Sequence, residues 1–286
     1  MGSLGTTASA EVTASDLKGL NAAAPFLAPG MAVYIAALPS TTPQELVDVA
    51  KAAFDHGLKP VPHLVARNFA SHRQLEETVR QLVDHADVKR ALVLGGDRSH
   101  SNGPFECALD LLNTGIINSD TIPNVAFGSY PEGHPRIPTA VLDRATLDKV
   151  DCAERLGLNT RLITQICFDA QAILRHVSQL RQAGITAPVR FGVVGPTKLA
   201  TLMKYAAICG VGPSLKTLIK RPKLGGKLLS GYTPGELLSE VLDTARCQPH
   251  LGLIGPHFFT FGALKNTARW VAAFDTPEAY KMAAGA

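Results

Sequence analysis

The sequence predicts an α/β fold, a single (β/α)8 barrel with extra helices between strands 7 and 8. Short apolar runs bounded by Gly and Pro alternate with helical patterns along the chain, eight times over. No linker between the units resembles a domain boundary. No G-x-G-x-x-G follows an early strand, and Gly95-Gly96 is too short a signal for a dinucleotide loop. Strict alternation implies parallel strands with helical crossovers, and eight units favour closure over an open sheet.

Residues 1–8 are expected to be flexible and 9–280 to form the barrel. The first strand is Ser9–Ala14, with Glu11 inside it, followed by a helix from Asp16 to about Leu27. Met31–Leu38 is an apolar strand after the Pro29-Gly30 turn. Thr42, Pro43 and Glu45 form a capping box that opens the next helix, and Gly57 ends it. Lys59–Val65 is the third strand, carrying His63, and Ser71–His85 a charged amphipathic helix. Arg90–Leu94 ends in Gly95-Gly96-Asp97, before a helix over Phe105–Leu112.

The fifth strand, Asn124–Gly128, runs into a proline-stiffened elbow with Tyr130, Glu132 and His134. A helix over Asp143–Gly157 leads to the sixth strand, Arg161–Phe168, which holds Gln165 and ends at Asp169. Ala170–Ala183 is helical, Val189–Val194 is the seventh strand and Thr197–Cys209 a further helix. Extra helices near Ser214–Lys220 and Thr233–Ala245 precede the eighth strand, His257–Phe261, and a closing helix, Ala263–Phe274.

The chain has 286 residues, 46% hydrophobic and 18% charged, ample for a large core. A net charge of +4 without a long Lys/Arg block argues against a nucleic-acid partner; Lys216–Lys227 is the densest basic stretch, interrupted by Pro and Gly. Five cysteines without C-x-x-C give neither a disulfide frame nor a zinc site and fit a reducing cytoplasm. No apolar run approaches the roughly 18 residues of a membrane span. Composition leaves homo-oligomer formation open.

Barrel chemistry sits at the C-terminal ends of the strands. The polar residues there are Glu11, His63, Asp97, Tyr130, Glu132, His134, Gln165, Asp169, His257 and Thr260. Each alone has an ordinary structural role open to it: His63 could bond a carbonyl, and Asp169 could cap a helix. Their convergence on one mouth predicts a site. No strand-end Lys, H-x-H, H-E-x-x-H or G-x-S-x-G supplies a Schiff base, metal cage or nucleophile. That makes a lyase or aldolase a poor reading, and no metal is expected.

Pro62–Leu64 (PHL), Leu94–Asp97 (LGGD), Tyr130–Pro135 (YPEGHP), Ile163–Asp169 (ITQICFD) and His257–Phe261 (HFFTF) together resemble the methylenetetrahydrofolate reductase family over nearly the whole chain. The resemblance implies a (β/α)8 oxidoreductase interconverting 5,10-methylenetetrahydrofolate and 5-methyltetrahydrofolate with NADH or NADPH, usually through FAD. It implies Asp97 and Gln165 at the pterin and Glu11 as general acid, a carboxyl that an apolar setting would keep protonated. On the same resemblance His63, Tyr130 and Phe259 serve the substrate, and Glu132, His134 and His257 the cofactor. Several family positions depart: Gly95 replaces an arginine, Ala36 or Ala37 a threonine, Gly262 an asparagine, and Cys152-Ala153-Glu154 replaces basic residues. Several of these losses fall on flavin contacts, so FAD is expected to be weakly bound or absent. The alternative from another class is a non-catalytic or accessory folate-binding barrel.

Overall fold

The computed structural model describes residues 4–220 and 231–274. Eight parallel strands close into one barrel in sequential order, β1 (Ser9–Thr13), β2 (Ala32–Ala36), β3 (Lys59–Val65), β4 (Arg90–Leu94), β5 (Asn124–Ser129), β6 (Asn159–Ile166), β7 (Val189–Val194) and β8 (Leu253–Phe259). Closure is by β1 on β8, with Ser9 opposite His257 and Ala10 opposite Phe258.

The helices are α1 (Leu4–Thr7), α2 (Leu17–Ala23), α3 (Pro43–Asp55), α4 (His72–Ala86), α5 (Ala108–Asn113), α6 (Thr139–Arg155), α7 (Ala170–Gln182), α8 (Leu199–Cys209), α9 (Gly212–Lys220), α10 (Gly235–Cys247) and α11 (Leu264–Phe274). After β7 comes α8, the helix of that unit, and then α9 and α10, the two extra helices expected before the last strand. At α3, Thr42 and Glu45 form the full reciprocal capping box.

Side chains alternate across every strand. Ala10, Val12, Val33, Ile35, Val93, Phe127, Phe191 and Phe258 face outward into the main core with the helices. Ala32, Tyr34, Val61, Leu92, Ala126 and Ile163 fill the barrel interior. A third cluster joins Ile166, Phe168 and Val194 to Leu202, Ala206 and Leu215 of α8 and α9. Among the described residues no helix is long and apolar enough to cross a membrane.

Several boundaries are corrected. Within the N-terminal segment, Leu4–Thr7 form a helical turn, with Leu4 buried and Arg190 Nη1 donating to the Thr7 carbonyl. The first helix breaks at Ala23 into a 3-10 turn containing Pro25. The helix expected from Phe105 starts at Ala108, because Asp110 accepts the backbone N–H groups of Glu106 and Cys107. The one expected from Asp143 starts at Thr139, straight after Pro138. Strand β8 begins at Leu253: Gly255-Pro256 reads as a turn, but Gly255 sits in the strand at φ +131°. The chain leaves that strand before Phe261, whose φ is +48°. Residues 275–280, and most of the basic stretch Lys216–Lys227, lie outside the described residues.

The β6–β7 ladder shifts register between Ile163 and Ile166, with Gln165 in the shift. Thr164 Oγ1 accepts the Gly192 N–H at 2.7 Å and donates to the Gln165 carbonyl at 2.9 Å. Such an irregularity re-aims the side chain that follows it. It requires glycine opposite: a Cβ at Gly192 would lie 2.4 Å from the Thr164 carbonyl oxygen and 2.8 Å from that of Gln165. Gly192→Ala is therefore expected to destabilise the fold by about 1–3 kcal/mol, read as a lower denaturant midpoint. An unchanged midpoint would mean that the bulge is soft.

Candidate active site

The C-terminal mouth of the barrel opens into a cavity of ≈ 1870 Å³, open space included. Glu11, His63 and His257 form its floor. They come from β1, β3 and β8, and only barrel closure brings them together. Glu11 Oε2 lies 3.6 Å from His63 Nε2 and 3.6 Å from His257 Nε2. Both distances exceed a normal hydrogen bond, so the attraction is chiefly electrostatic, and neither Nε2 has a hydrogen-bond partner. The His257 side chain is 0% exposed, that of Glu11 19%.

His257 Nδ1 lies 3.0 Å from Ser9 Oγ. The tautomer carrying its proton on Nε2 points a donor at the carboxylate and lets the Ser9 hydroxyl donate to Nδ1. Thr260 Oγ1 donates to the Glu11 carbonyl at 2.7 Å, fixing the strand beneath the carboxylate. Tyr34 packs edge-on against His257, ring centroids 4.7 Å apart, and Phe259 covers its other side at 4.8 Å.

Burial pushes His63 down to about 4, with Glu11 opposing and His257 adding to the fall. Burial likewise lowers His257 against the pull of Glu11. Burial alone would raise the Glu11 carboxyl, but the two imidazoles outweigh it and hold Glu11 below its ordinary value. Without ligand the two imidazoles thus favour the charged form of Glu11, against the desolvation that would favour its proton.

The mouth gathers most of the expected residues. Gln165 lines it, and its Oε1 accepts the Ile166 N–H at 2.9 Å, leaving the amide NH₂ to donate. Asp97 stands at the rim, its side chain 81% exposed and 3.5 Å from Arg136. Tyr130 and His134 line the wall with rings edge to face at 5.5 Å. Burial and then Asp97 push the Tyr130 phenol up. Burial, then Arg136, lowers His134 against the pull of Asp97.

Two expected residues do not join the mouth. Glu132 turns away from it toward Cys167, whose Sγ donates to Glu132 Oε1 at 3.6 Å. Asp169 caps α7, accepting the Gln171 N–H at 3.0 Å, the ordinary helix-end role.

Sequence reading missed Ser9, Tyr34, Arg67, Arg98, Arg136 and Lys149. Arg136 follows YPEGHP directly, and its charge was the available signal. Lys149 sits on α6 among apolar neighbours, 5.4 Å from the Phe127 ring centroid, and burial pushes it down to about 8. It makes no ion pair among the described residues. Arg67, Arg98, Arg136 and Lys149 all line the cavity, whereas Cys152 and Ala153 face the core. Cations thus stand in the mouth at positions other than Gly95 and 152–154; Arg67 and Arg98 already donate to the carbonyls of Glu106, Arg98 and Pro39, and Arg136 faces Asp97.

The family model for methylenetetrahydrofolate reductase matches residues 33–216, more than half of the chain. The chain belongs to the methylenetetrahydrofolate reductase family. The 5,10-methylenetetrahydrofolate reductase of Pectobacterium carotovorum subsp. carotovorum is 29% identical over 157 residues, 54% of this chain and 50% of that protein. That of Escherichia coli (strain K12) is 28% identical over 157 residues, with the same coverage. Methylenetetrahydrofolate reductase (NADH) 1 of Arabidopsis thaliana is 28% identical over 151 residues, 44% of this chain and 25% of that protein. The matched stretch thus spans half or less of these reductases. Glu11 precedes the region matched by the family model and His257 follows it.

The floor makes stability depend on pH. His63 is held neutral in the fold down to about pH 4, whereas the unfolded chain protonates it near 6.5. Stability is therefore full above about pH 6.5 and falls as pH drops toward 4. The contribution is up to about 3 kcal/mol, and the lowered Glu11 acts in the same direction below its own range. Urea melts across this window should slope with pH; burial also pushes His176 down to about 4, so His63→Gln should reduce the slope and leave the part that His176 carries. An equal slope in that variant would place the titration elsewhere.

Proposed function

We propose that this chain reduces 5,10-methylenetetrahydrofolate to 5-methyltetrahydrofolate with NADH or NADPH. The observation that carries the reading is one carboxylate, Glu11, between two buried imidazoles on the floor of a mouth that also holds Gln165. Opening the five-membered ring requires a proton on the leaving N10. A pterin ring laid over the floor excludes water, which adds desolvation to Glu11 and raises its proton affinity. Glu11 then takes a proton with His63 and His257 as neighbours and passes it to N10. The Gln165 amide donates to the pterin edge, and Asp97 offers negative charge to the cationic N5 iminium. Phe259 and Tyr130 exclude water from the reacting carbon.

A dinucleotide diphosphate suits Lys149 with Arg98 and Arg136; when bound, the reduced dinucleotide supplies the hydride. Gly95 and the absence of basic side chains at 152–154, within α6, favour direct transfer from nicotinamide without FAD. A second reading keeps FAD, because Lys149, one turn earlier on α6, supplies a cation.

Glu11→Gln should retain tetrahydrofolate binding and lose about 10²-fold or more in turnover. Gln165→Ala should weaken that binding by roughly 1–3 kcal/mol. Near-normal turnover in Glu11→Gln would reject its role. NAD(P)H oxidation that does not depend on methylenetetrahydrofolate, or no oxidation at all, would favour the non-catalytic folate barrel.

Direct transfer needs both ligands present together and predicts a colourless protein with sequential kinetics, active without added FAD. A yellow protein with stoichiometric FAD and ping-pong kinetics would support the second reading.

A further inference from the structure

The opposite, N-terminal end of the barrel interior holds a group of cations that the mouth chemistry does not use. Arg90 and Arg161 lie two residues before Leu92 and Ile163, so they share those residues' inward face. Arg190 pairs in register with Ile163 and is 8% exposed. None of the three makes an ion pair among the described residues. Arg190 Nη1 donates to the Thr7 carbonyl and lies 3.5 Å from that of Pro256, but its Nε has no partner. The Nε of Arg90 is likewise buried without a partner. Above them the Tyr34 hydroxyl is also buried and unpartnered, on a residue 0% exposed.

Three like charges inside a barrel, with donors left over, are costly unless an anion compensates them. Burial first, and then Arg161 and Arg90 against the opposing Tyr34, pushes Arg190 down to about 10, as mutual proximity requires. Ala32 and Ala126, on the same inward face, are small. Arg90 and Arg161 are only half-buried, so the group opens toward solvent at the N-terminal face.

We infer that the N-terminal end of the barrel interior is an oxyanion site, formed by Arg190, Arg90 and Arg161 with the Tyr34 hydroxyl, for a tetrahedral anion such as inorganic phosphate or sulfate. Forked guanidinium donors match two oxygens of such an ion, and the phenol hydroxyl supplies a further donor. Chloride offers a single centre and satisfies fewer of these donors. The site lies at the other end of the barrel from the mouth, and Tyr34 joins the two by packing against His257.

The test is thermal melting of the whole protein with inorganic phosphate against chloride at equal ionic strength. Phosphate should raise Tm by roughly 5–10 °C at about 100 times its Kd, and chloride should not. Arg190→Met, which removes a like charge, should fold and lose the phosphate shift. Tyr34→Phe, which removes only the hydroxyl, should weaken phosphate binding about tenfold by calorimetric titration. Arg136→Gln, at the rim of the mouth, should keep the full shift. Equal stabilisation by chloride, a shift that survives Arg190→Met, or a shift lost in Arg136→Gln would overturn the assignment. No phosphate shift in the unsubstituted protein would also overturn it, leaving ordered water on these donors.

Discussion

The structure depends on one electrostatic arrangement: a carboxylate oxygen equidistant, at 3.6 Å, from two buried imidazole nitrogens. Removing these groups from water is expensive, and only fixed partners offset that cost. The three side chains come from β1, β3 and β8. Their geometry therefore exists only if the first and last strands meet. The β1–β8 pairing of Ser9 with His257 is both the seam of the barrel and the second support of the imidazole. Fold closure and site assembly are the same event.

The rest of the mouth elaborates that floor. The register shift in β6 aims Gln165 upward, and Thr260 ties β8 to the backbone of Glu11. Tyr34 and Phe259 both pack edge-on against His257, which limits the rotation of the imidazole. At the rim the Asp97–Arg136 pair is largely exposed, and exposed pairs contribute little to stability.

Charge is divided unevenly through the barrel. The acid of the site sits between neutral bases, whereas cations occupy the rim and, separately, the opposite end of the interior. Arg190 adds a lowering influence on His257 from below. Family membership is secured by the central segments of the chain, but the two outermost strands carry the floor. For that reason the role of Glu11 is argued from its geometry.

The sequence by itself determined the order of elements, the closed-barrel class, the capping box at Thr42–Glu45 and the strand placement of Glu11, His63 and Gln165. These follow from periodicity, turn chemistry and local hydrogen bonding, which act over a few residues. Only the tertiary structure decided which polar residues meet. Glu132, in a motif that looked functional, turns to Cys167, because the proline elbow directs it sideways. Tyr34 looked like one more apolar strand residue, yet it links the floor to the cations beneath. The charge state of Glu11 was also beyond local reading. It depends on His257, a strand partner in space 246 positions away in sequence, and chain separation of that size leaves no periodic trace.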